Sequence, residues 1–323
     1  MALFIISPID LATAYRALAA LYNAGVGPSH AFSFLVESTE SRPLKSTLKE
    51  MSEATADGTP VSKAMARFPS IFPALHRTVV AAGEASGLMP PTLVGLAQMV
   101  ESDHALKEGI KREMTPAKMN IAAVVVILGI LAILGLFSWN GLSGAAQFIL
   151  IVCIILIGVT FAAANLATQI NNEAEVRYGP IVNHIPAFGK VAKLMAENRF
   201  TRVLAVCHEA GILPIRSISL AAEACGSPAM QAKLSKATIS VRDGSTMAMS
   251  LETTEALSDY LVSMLKIGEE SGKVTEVLYK AQEQQSQVIT SLVHQLKTYV
   301  SLATNLAALA LGATVVFILY RVL

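Results

Sequence analysis

The sequence GEASG at residues 83–87 returns as GEESG at residues 268–272, and this repetition decides how the rest of the chain is interpreted. Two further pairs of short motifs lie upstream: AGVGP at 24–28 with AGILP at 210–214, and DGT at 57–59 with DGS at 243–245. The upstream pairs are 186 residues apart and the first pair is 185 apart, so one single-residue insertion or deletion separates the copies. A fixed long period is the sequence signature of a duplicated structural unit. We therefore predict two copies of one domain.

Each copy is predicted to be a small helical bundle. Runs rich in Ala, Leu, Lys and Glu alternate with Gly and Pro, whereas the strict alternation typical of strands is scarce. The AG-x-x-P motif predicts a helix end, because glycine suits the left-handed cap position and proline cannot continue a helix. We expect five or six helices in each copy. A stripe with spacings of four and three predicts a packing seam on the last helix of the second copy: Val274, Leu278, Ala281, Gln285, Val288 and Leu292.

The composition indicates a membrane protein with substantial soluble parts. Of the 323 residues, 53% are hydrophobic and 15% are charged, and the mean hydropathy is +0.52. Ordinary globular domains carry about a quarter charged residues. These values exclude a disordered chain, a nucleic-acid-binding protein with a basic surface and a simple cytosolic enzyme.

Two long stretches, 119–172 and 298–320, contain no charged residue. A helix needs about 20 apolar residues to span a bilayer. Three transmembrane helices are therefore predicted: Met119–Phe137, Ala145–Leu166 and Tyr299–Tyr320. The polar turn SWNGLSG at 138–144 would join the first two helices as an antiparallel hairpin.

The predicted topology places both soluble domains in the cytoplasm and the C-terminus in the periplasm. Lys107, Lys111, Arg112 and Lys118 precede the first span, whereas the hairpin turn is uncharged, and basic residues favour the cytoplasmic side. The N-terminus does not resemble a signal peptide, because no basic segment precedes its short apolar run. The fold class is an all-α membrane protein with four parts: a cytoplasmic helical domain at 1–118, a transmembrane hairpin at 119–168, a second cytoplasmic helical domain at 169–298 and a C-terminal transmembrane helix at 299–323.

The sequence shows no catalytic or cofactor-binding constellation. The segment GEESGK at 268–273 fails as a Walker A loop, because only three residues separate the glycines and no Ser or Thr follows the lysine. Glu101 and His104 have a spacing used by carboxylate-bridged metal sites, but the second copy offers no counterpart. A solvated helix face is the preferred interpretation, and metal binding is left open. Cys207 and Cys225 are interpreted as small buried side chains.

The Gly-Glu-x-Ser-Gly motif allows two interpretations. In the first, the glycines permit a close turn and the glutamate accepts backbone N–H groups at the start of the following helix. In the second, the glutamate is a docking carboxylate for a partner. The candidate interaction residues are Gly83, Glu84, Ser86, Gly87, Gly268, Glu269, Ser271 and Gly272.

The predicted spans contain no ionisable residue, so we interpret them as anchors rather than as a transport path. A membrane subunit of a transporter or permease remains the alternative function, and polar residues lining a path would be its sign. A membrane-bound enzyme would need clustered titratable groups, which the sequence lacks.

Two helical copies with these motifs, alternating with a hairpin and a C-terminal span, resemble the inner-membrane platform proteins of type IV pilus and type II secretion machines, the secretion-system F-domain family. The resemblance covers essentially the whole chain, and the eight motif residues match the family's motif. It implies a non-enzymatic, multi-pass platform protein in the bacterial inner membrane. Pro90-Pro91 is a departure, because it is expected to break the helix start that Lys273-Val274 makes in the second copy.

The resemblance also implies partners. Relatives self-associate, contact a cytoplasmic hexameric ATPase and help to move pilin subunits between the membrane and a filament. We therefore expect a homo-oligomer that couples this ATPase to pilin insertion or removal. Other inner-membrane assembly proteins and membrane lipid are expected partners, whereas nucleic acid and cofactors are not.

Overall fold

The computed structural model of the protein describes residues 6–133 and 186–322. All regular secondary structure in these two ranges is α-helical, which confirms the predicted helical class. The hairpin turn and the second predicted span lie outside the described residues. Within the described part of the chain, no helix is long and apolar enough to cross a membrane, and the three-span arrangement stays a prediction.

Each copy contributes six helices to the described residues, in agreement with the expected number. The first copy contains α1 Pro8–Asn23, α2 Pro28–Ser38, α3 Arg42–Ala56, α4 Val61–Met65, α5 Ala74–Ser86 and α6 Met89–Ile133. The second contains α7 Pro186–Glu209, α8 Pro214–Ala224, α9 Pro228–Arg242, α10 Met247–Glu252, α11 Asp259–Ser271 and α12 Val274–Val322. Several of these helices begin with proline, whose fixed φ angle suits the first turn and whose missing N–H is not needed there.

The helix boundaries repeat with the same offsets as the sequence motifs. The second, third and fourth helices of the copies begin 186 residues apart, and the fifth and sixth begin 185 apart. The single-residue length difference therefore lies between the start of the fourth helix and the start of the fifth: the second copy has a fourth helix one residue longer and a connector two residues shorter. Residues 66–73 connect these helices in the first copy, and residues 253–258 connect them in the second.

The first five helices of the first copy, most of the first five helices of the second copy and the beginnings of α6 and α12 belong to one compact unit, formed by Met1–Leu106 and Lys193–Ser286. Their buried apolar side chains make one continuous core. The Ser86 hydroxyl of the first copy donates to the carbonyl of Ala210 in the second at 3.1 Å. The two copies are therefore held together by a shared core as well as by the chain.

The second unit is formed by Lys107–Ala192 and Gln287–Leu323. Within it, the Lys297 ammonium on α12 donates to the Glu113 carboxylate on α6 at 3.0 Å, and the His294 ring lies 3.1 Å from the same carboxylate. Hydrogen bonds from Lys297 and His294 lower the pKa of Glu113. This ion pair ties the two longest described helices together in the second unit.

The predicted seam on α12 is right for its first four residues but wrong at Val288. Val274, Leu278, Ala281 and Gln285 are buried, whereas Val288 is 40% exposed. Further along the helix, the buried residues are Ile289, Val293 and Leu296. A helix has 3.6 residues per turn, so a strict four-and-three spacing drifts by about 20° every seven residues. In addition, α12 enters the second unit at Gln287, where its neighbours change.

The expectation for Pro90-Pro91 is also wrong. Helix α6 begins at Met89, which is the repeat equivalent of Val274 at the start of α12. Both prolines lie in the first turn, where the backbone N–H groups have no partner inside the helix. The two copies therefore begin their last helix at the same position.

A buried hydrogen bond between Tyr15 and His76 joins α1 to α5 in the first copy. The Tyr15 hydroxyl lies 3.0 Å from Nδ1 of His76, and both residues are buried. Burial lowers the pKa of His76 to about 4. His76 is therefore neutral in the folded protein at pH 5 and above. In the unfolded chain, a histidine has a pKa of about 6.5 and is protonated below that pH.

We predict that this pair makes the fold sensitive to mild acid. Since the pKa of His76 is lower in the folded state, its contribution to stability is complete above about pH 6.5 and is lost as the pH falls towards 4. The expected loss of unfolding free energy between pH 7 and pH 5 is about 2 kcal/mol. Thermal unfolding of the detergent-solubilised chain, followed by circular dichroism, measures it. The variant Tyr15→Phe/His76→Leu should lose less stability over this interval, and an equal loss in both proteins would contradict the assignment.

Candidate functional site

The Glu84 carboxylate of the first motif caps the short helix α4. Its Oε1 accepts the backbone N–H of Val61 at 2.6 Å, and its Oε2 accepts the N–H of Ser62 at 3.0 Å. The Ser62 hydroxyl donates to the same Oε2 at 2.5 Å. The N-cap residue of α4 is Pro60, whose side chain makes no capping bond. The carboxylate of α5 therefore supplies the acceptors that a helix start requires.

The second motif repeats this arrangement. Oε1 of Glu269 accepts the N–H of Met247 at 2.7 Å, and Oε2 accepts the N–H of Ala248 at 3.1 Å. Met247 and Ala248 are the repeat equivalents of the residues capped in the first copy. In both copies, the carboxylate takes the capping role, but on the short helix that precedes the motif by some 20 residues, not on the helix that follows.

The first glycine of each motif allows the fifth and sixth helices to approach closely. A Cβ atom on Gly83 would lie 2.6 Å from Oγ1 and 3.0 Å from Cβ of Thr92 on α6. A Cβ atom on Gly268 would lie 3.0 Å from the Cα atom of Val274 on α12. The 2.6 Å distance at Gly83 is too short for a real side chain, and the 3.0 Å distance at Gly268 would require the backbone of α12 to shift. Glycine therefore suits the crossing in both copies.

The last glycine of each motif ends the fifth helix in the left-handed conformation. The φ angles are 75° for Gly87 and 69° for Gly272, a region that glycine adopts without steric cost. Ser86 and Ser271 lie one residue earlier, and both hydroxyls donate to backbone carbonyls. The whole motif thus builds a corner in which a short helix, a glycine crossing and a tight turn fix the start of the last helix. We call this arrangement, residues 83–87 or 268–272 with the capped fourth helix, the motif corner.

The Glu101 side chain on α6 is paired with a residue of α1. It binds Arg16 in an ion pair, and the hydrogen bond from Arg16 lowers the pKa of Glu101. Its neighbour Asp103 binds Arg202 at 3.1 Å. No group of three or more metal-ligating side chains is present among the described residues.

Sequence reasoning missed a buried polar network in the second copy, which comprises Glu197, Asn198, Arg202, Gln282 and Gln285. The Asn198 amide donates to the carbonyl of Gln282 at 3.0 Å and lies 3.5 Å from Oε1 of Gln285. Gln285 donates to Glu197 at 3.1 Å, and Arg202 donates to Oδ1 of Asn198 at 2.6 Å. One signal could have revealed it, because the repeat offset aligns four of these polar residues with apolar ones in the first copy.

A second polar pair lies where the copies meet. The Tyr279 hydroxyl on α12 donates to the Glu209 carboxylate on α7. A Cβ atom on Gly95 of α6 would lie 2.6 Å from that carboxylate and 3.0 Å from the hydroxyl. Gly95 therefore lets the pair lie directly against α6, and burial raises the pKa of Glu209.

The family model described as type II secretion system protein F matches residues 14–137 and again residues 200–323. A type II secretion system protein F of Vibrio cholerae is 25% identical over 308 residues, which cover 90% of this chain and 75% of the relative. The type IV pilus assembly protein TapC of Aeromonas hydrophila is 26% identical over 328 residues, covering 96% and 79%. The type IV pilus assembly protein PilC of Pseudomonas aeruginosa is 25% identical over 317 residues, covering 91% and 83%.

These matches confirm the resemblance that the motifs indicated. Because the family model covers most of the chain, the chain belongs to the type II secretion system protein F family. The two separate matches, one for each copy, confirm the internal repeat. The relatives' names connect the family to type II secretion and to type IV pilus assembly.

We predict that Glu269→Ala lowers the unfolding free energy by about 2 kcal/mol, because two backbone N–H groups lose a charged acceptor. The buried thiols of Cys207 and Cys225 report unfolding directly, so a thiol-reactive dye measures the midpoint in a Cys153→Ser background. The adjacent Glu270 is exposed, and Glu270→Ala is the matched control with an expected change near zero. Equal midpoints for the two variants would contradict the capping role.

We predict that Gly83→Ala destabilises the protein by about 1–3 kcal/mol, the usual cost of overpacking, because the added methyl would overlap Thr92. The same dye assay measures the loss. Thr92→Ala removes the overlapping Oγ1 and should restore part of the stability in the double variant. If the two substitutions are additive instead, the close crossing does not depend on this contact.

Proposed function

We propose that the protein is a non-enzymatic platform of the bacterial inner membrane for type IV pilus assembly or type II secretion. It would couple a cytoplasmic hexameric ATPase to the insertion of pilin subunits into a filament or to their removal. The observation that carries this proposal is the pair of long helices. Each copy ends in a helix that begins at a motif corner in the shared core and runs on, unbroken, to a stretch without charged residues.

The lengths of these helices suit a mechanical connection. Helix α6 has 45 residues and α12 has 49, which correspond to about 65–75 Å at 1.5 Å per residue. An unbroken helix transmits displacement and rotation along its axis, because its backbone hydrogen bonds resist bending. A partner that moves the first unit would therefore move the membrane-directed ends of both helices.

The membrane arrangement is part of the proposal. The uncharged stretches at 119–172 and 298–320 supply three spans, with both soluble domains in the cytoplasm and the C-terminus in the periplasm. The supporting observation is the placement of charge: lysine and arginine precede the first span, Lys297 precedes the third, and the hairpin turn has no charge. The spans anchor the platform and place it beside pilin subunits in the same membrane.

The partners follow from the proposed role. The first unit would bind the ATPase and other assembly proteins, and several copies of the chain would assemble around the growing filament. The names of the relatives support a place in secretion or pilus machinery. We propose that Glu84 and Glu269 shape the docking surface indirectly, because their carboxylates are already occupied by the fourth helix.

The proposal that α12 acts as a lever, which transmits movement from the first unit towards the membrane, can be tested by inserting residues into the helix. One alanine between Thr298 and Tyr299 rotates everything beyond it by about 100° about the helix axis. We predict that filament assembly or secretion is lost in the producing bacterium, while the protein remains at its normal level in the membrane fraction. Electron microscopy of filaments, or assay of the secreted protein, measures the effect.

A seven-residue insertion at the same place is the control. It lengthens the helix by about 10 Å but returns the rotation to within about 20° of the original. It should therefore retain more activity than the one-residue insertion. Wild-type assembly by the one-residue variant would contradict the lever.

A further inference from the structure

The buried polar network of the second copy occupies positions that are apolar in the first. Glu197, Asn198, Gln282 and Gln285 correspond to Leu11, Ala12, Ala97 and Val100 through the repeat offsets. Both sets lie where the first, fifth and sixth helices of a copy approach one another. The first copy shows that this bundle can be built there with apolar side chains.

The network is a costly way to fill this space. Desolvation by burial raises the pKa of Glu197 and lowers that of Arg202. Nε of Arg202 finds no hydrogen-bond partner among the described residues. Well-packed apolar side chains are often at least as stabilising as buried ionic groups. Stability alone therefore does not account for the network.

The bonds of the network are directed at α12. Asn198 on α7 reaches the Gln282 carbonyl at 3.0 Å and the Ser286 hydroxyl at 3.3 Å. Glu197, also on α7, accepts Gln285 at 3.1 Å and the N–H of Ser258 at 3.1 Å. Three of these contacts, those with Gln282, Gln285 and Ser286, cover the turn of α12 that ends the first unit. The fourth reaches Ser258, the N-cap residue of α11.

The arginine extends the network to the other long helix. In the first copy, Arg16 binds Glu101 of its own sixth helix. The repeat equivalent of Glu101 is Ser286, so Arg202 has no carboxylate at that position and instead binds Asp103 on α6 at 3.1 Å. The network thus connects α6, α7 and α12, and both membrane-directed helices meet at one cluster.

We propose that Glu197, Asn198 and Arg202 are positioning residues that fix the rotation and register of α12 against α7 and α6. Apolar contacts are non-directional and permit several neighbouring registers, whereas hydrogen bonds to Gln282 and Gln285 are satisfied in one. The cluster fixes the part of α12 that belongs to the first unit, which ends at Ser286. Transmission to the membrane rests on the proposed function, whereas the fixed register does not.

The test transplants the first copy's residues into the second. The variant Glu197→Leu/Asn198→Ala/Gln282→Ala/Gln285→Val/Ser286→Glu reproduces the apolar set and gives Arg202 a carboxylate of the kind that Arg16 has. Spin labels are attached at Arg216→Cys on α8 and Glu283→Cys on α12, both exposed positions, in a Cys153→Ser background. Electron–electron resonance measures the distance distribution between the labels in the full chain.

The proposal predicts a single narrow distribution in the otherwise native chain and a broadened or multiple distribution in the transplant. The unfolding midpoint of the transplant should equal or exceed that of the native chain. The control Tyr15→Phe/His76→Leu replaces a buried polar pair of the first copy that does not touch α12, and it should leave the distribution narrow. An unchanged distribution in the transplant overturns the proposal.

A single substitution tests the same proposal in case the transplant variant does not fold. Asn198→Ala removes the one side chain that joins Arg202 to the backbone of α12, and it should also broaden the distribution. If it does not, the positioning role is wrong. Filament assembly is measured separately. Normal assembly by a variant with a broadened distance distribution would refute transmission through the cluster. Loss of assembly by a variant with a narrow distribution would refute the positioning role and leave the proposed function intact.

Discussion

The motif corner is the constraint on which the rest of the structure depends. A glutamate of the fifth helix holds the start of the fourth, a glycine brings the fifth and sixth helices into contact, and a second glycine turns the chain between them. The corner thereby sets the direction of the longest helix in each copy. Because the carboxylate cap and the left-handed glycine recur in both copies, α6 and α12 begin at equivalent positions of the repeat.

Duplication explains much of what could be predicted from the sequence and part of what could not. The Gly and Pro punctuation predicted five or six helices in each copy, and the offsets predicted that the motifs are equivalent. These features are predictable because a left-handed turn depends on local residues such as Gly87 and Gly272. The sequence predicted that the Glu84 carboxylate could accept backbone N–H groups at a helix start, but it did not predict which helix. The helix that Glu84 caps begins about 22 residues earlier in the sequence. Seam positions beyond Gln285 failed for a similar reason: which face of α12 is buried depends on neighbours that periodicity does not identify.

The differences between the copies are as informative as their similarity. The first copy fills its core with Leu11, Ala12 and Ala97, whereas the second uses Glu197, Asn198 and Gln282 at the same positions. A single-copy protein would offer no such internal reference, and the polar residues would pass as ordinary core hydrogen bonds. Here one copy shows the apolar solution, so the polar solution in the other calls for a role beyond stability. The cluster's contacts with both long helices are consistent with a role in positioning them.

We propose that this family member works as a platform between a cytoplasmic ATPase and pilin subunits. The most direct test is to purify the full chain in mild detergent from the membranes of its own bacterium and to identify the co-purifying proteins by mass spectrometry. If the protein is such a platform, a secretion-type ATPase and pilin subunits should be recovered reproducibly. Recovery of a solute-binding protein or a transport ATPase, with neither of those partners, would contradict it.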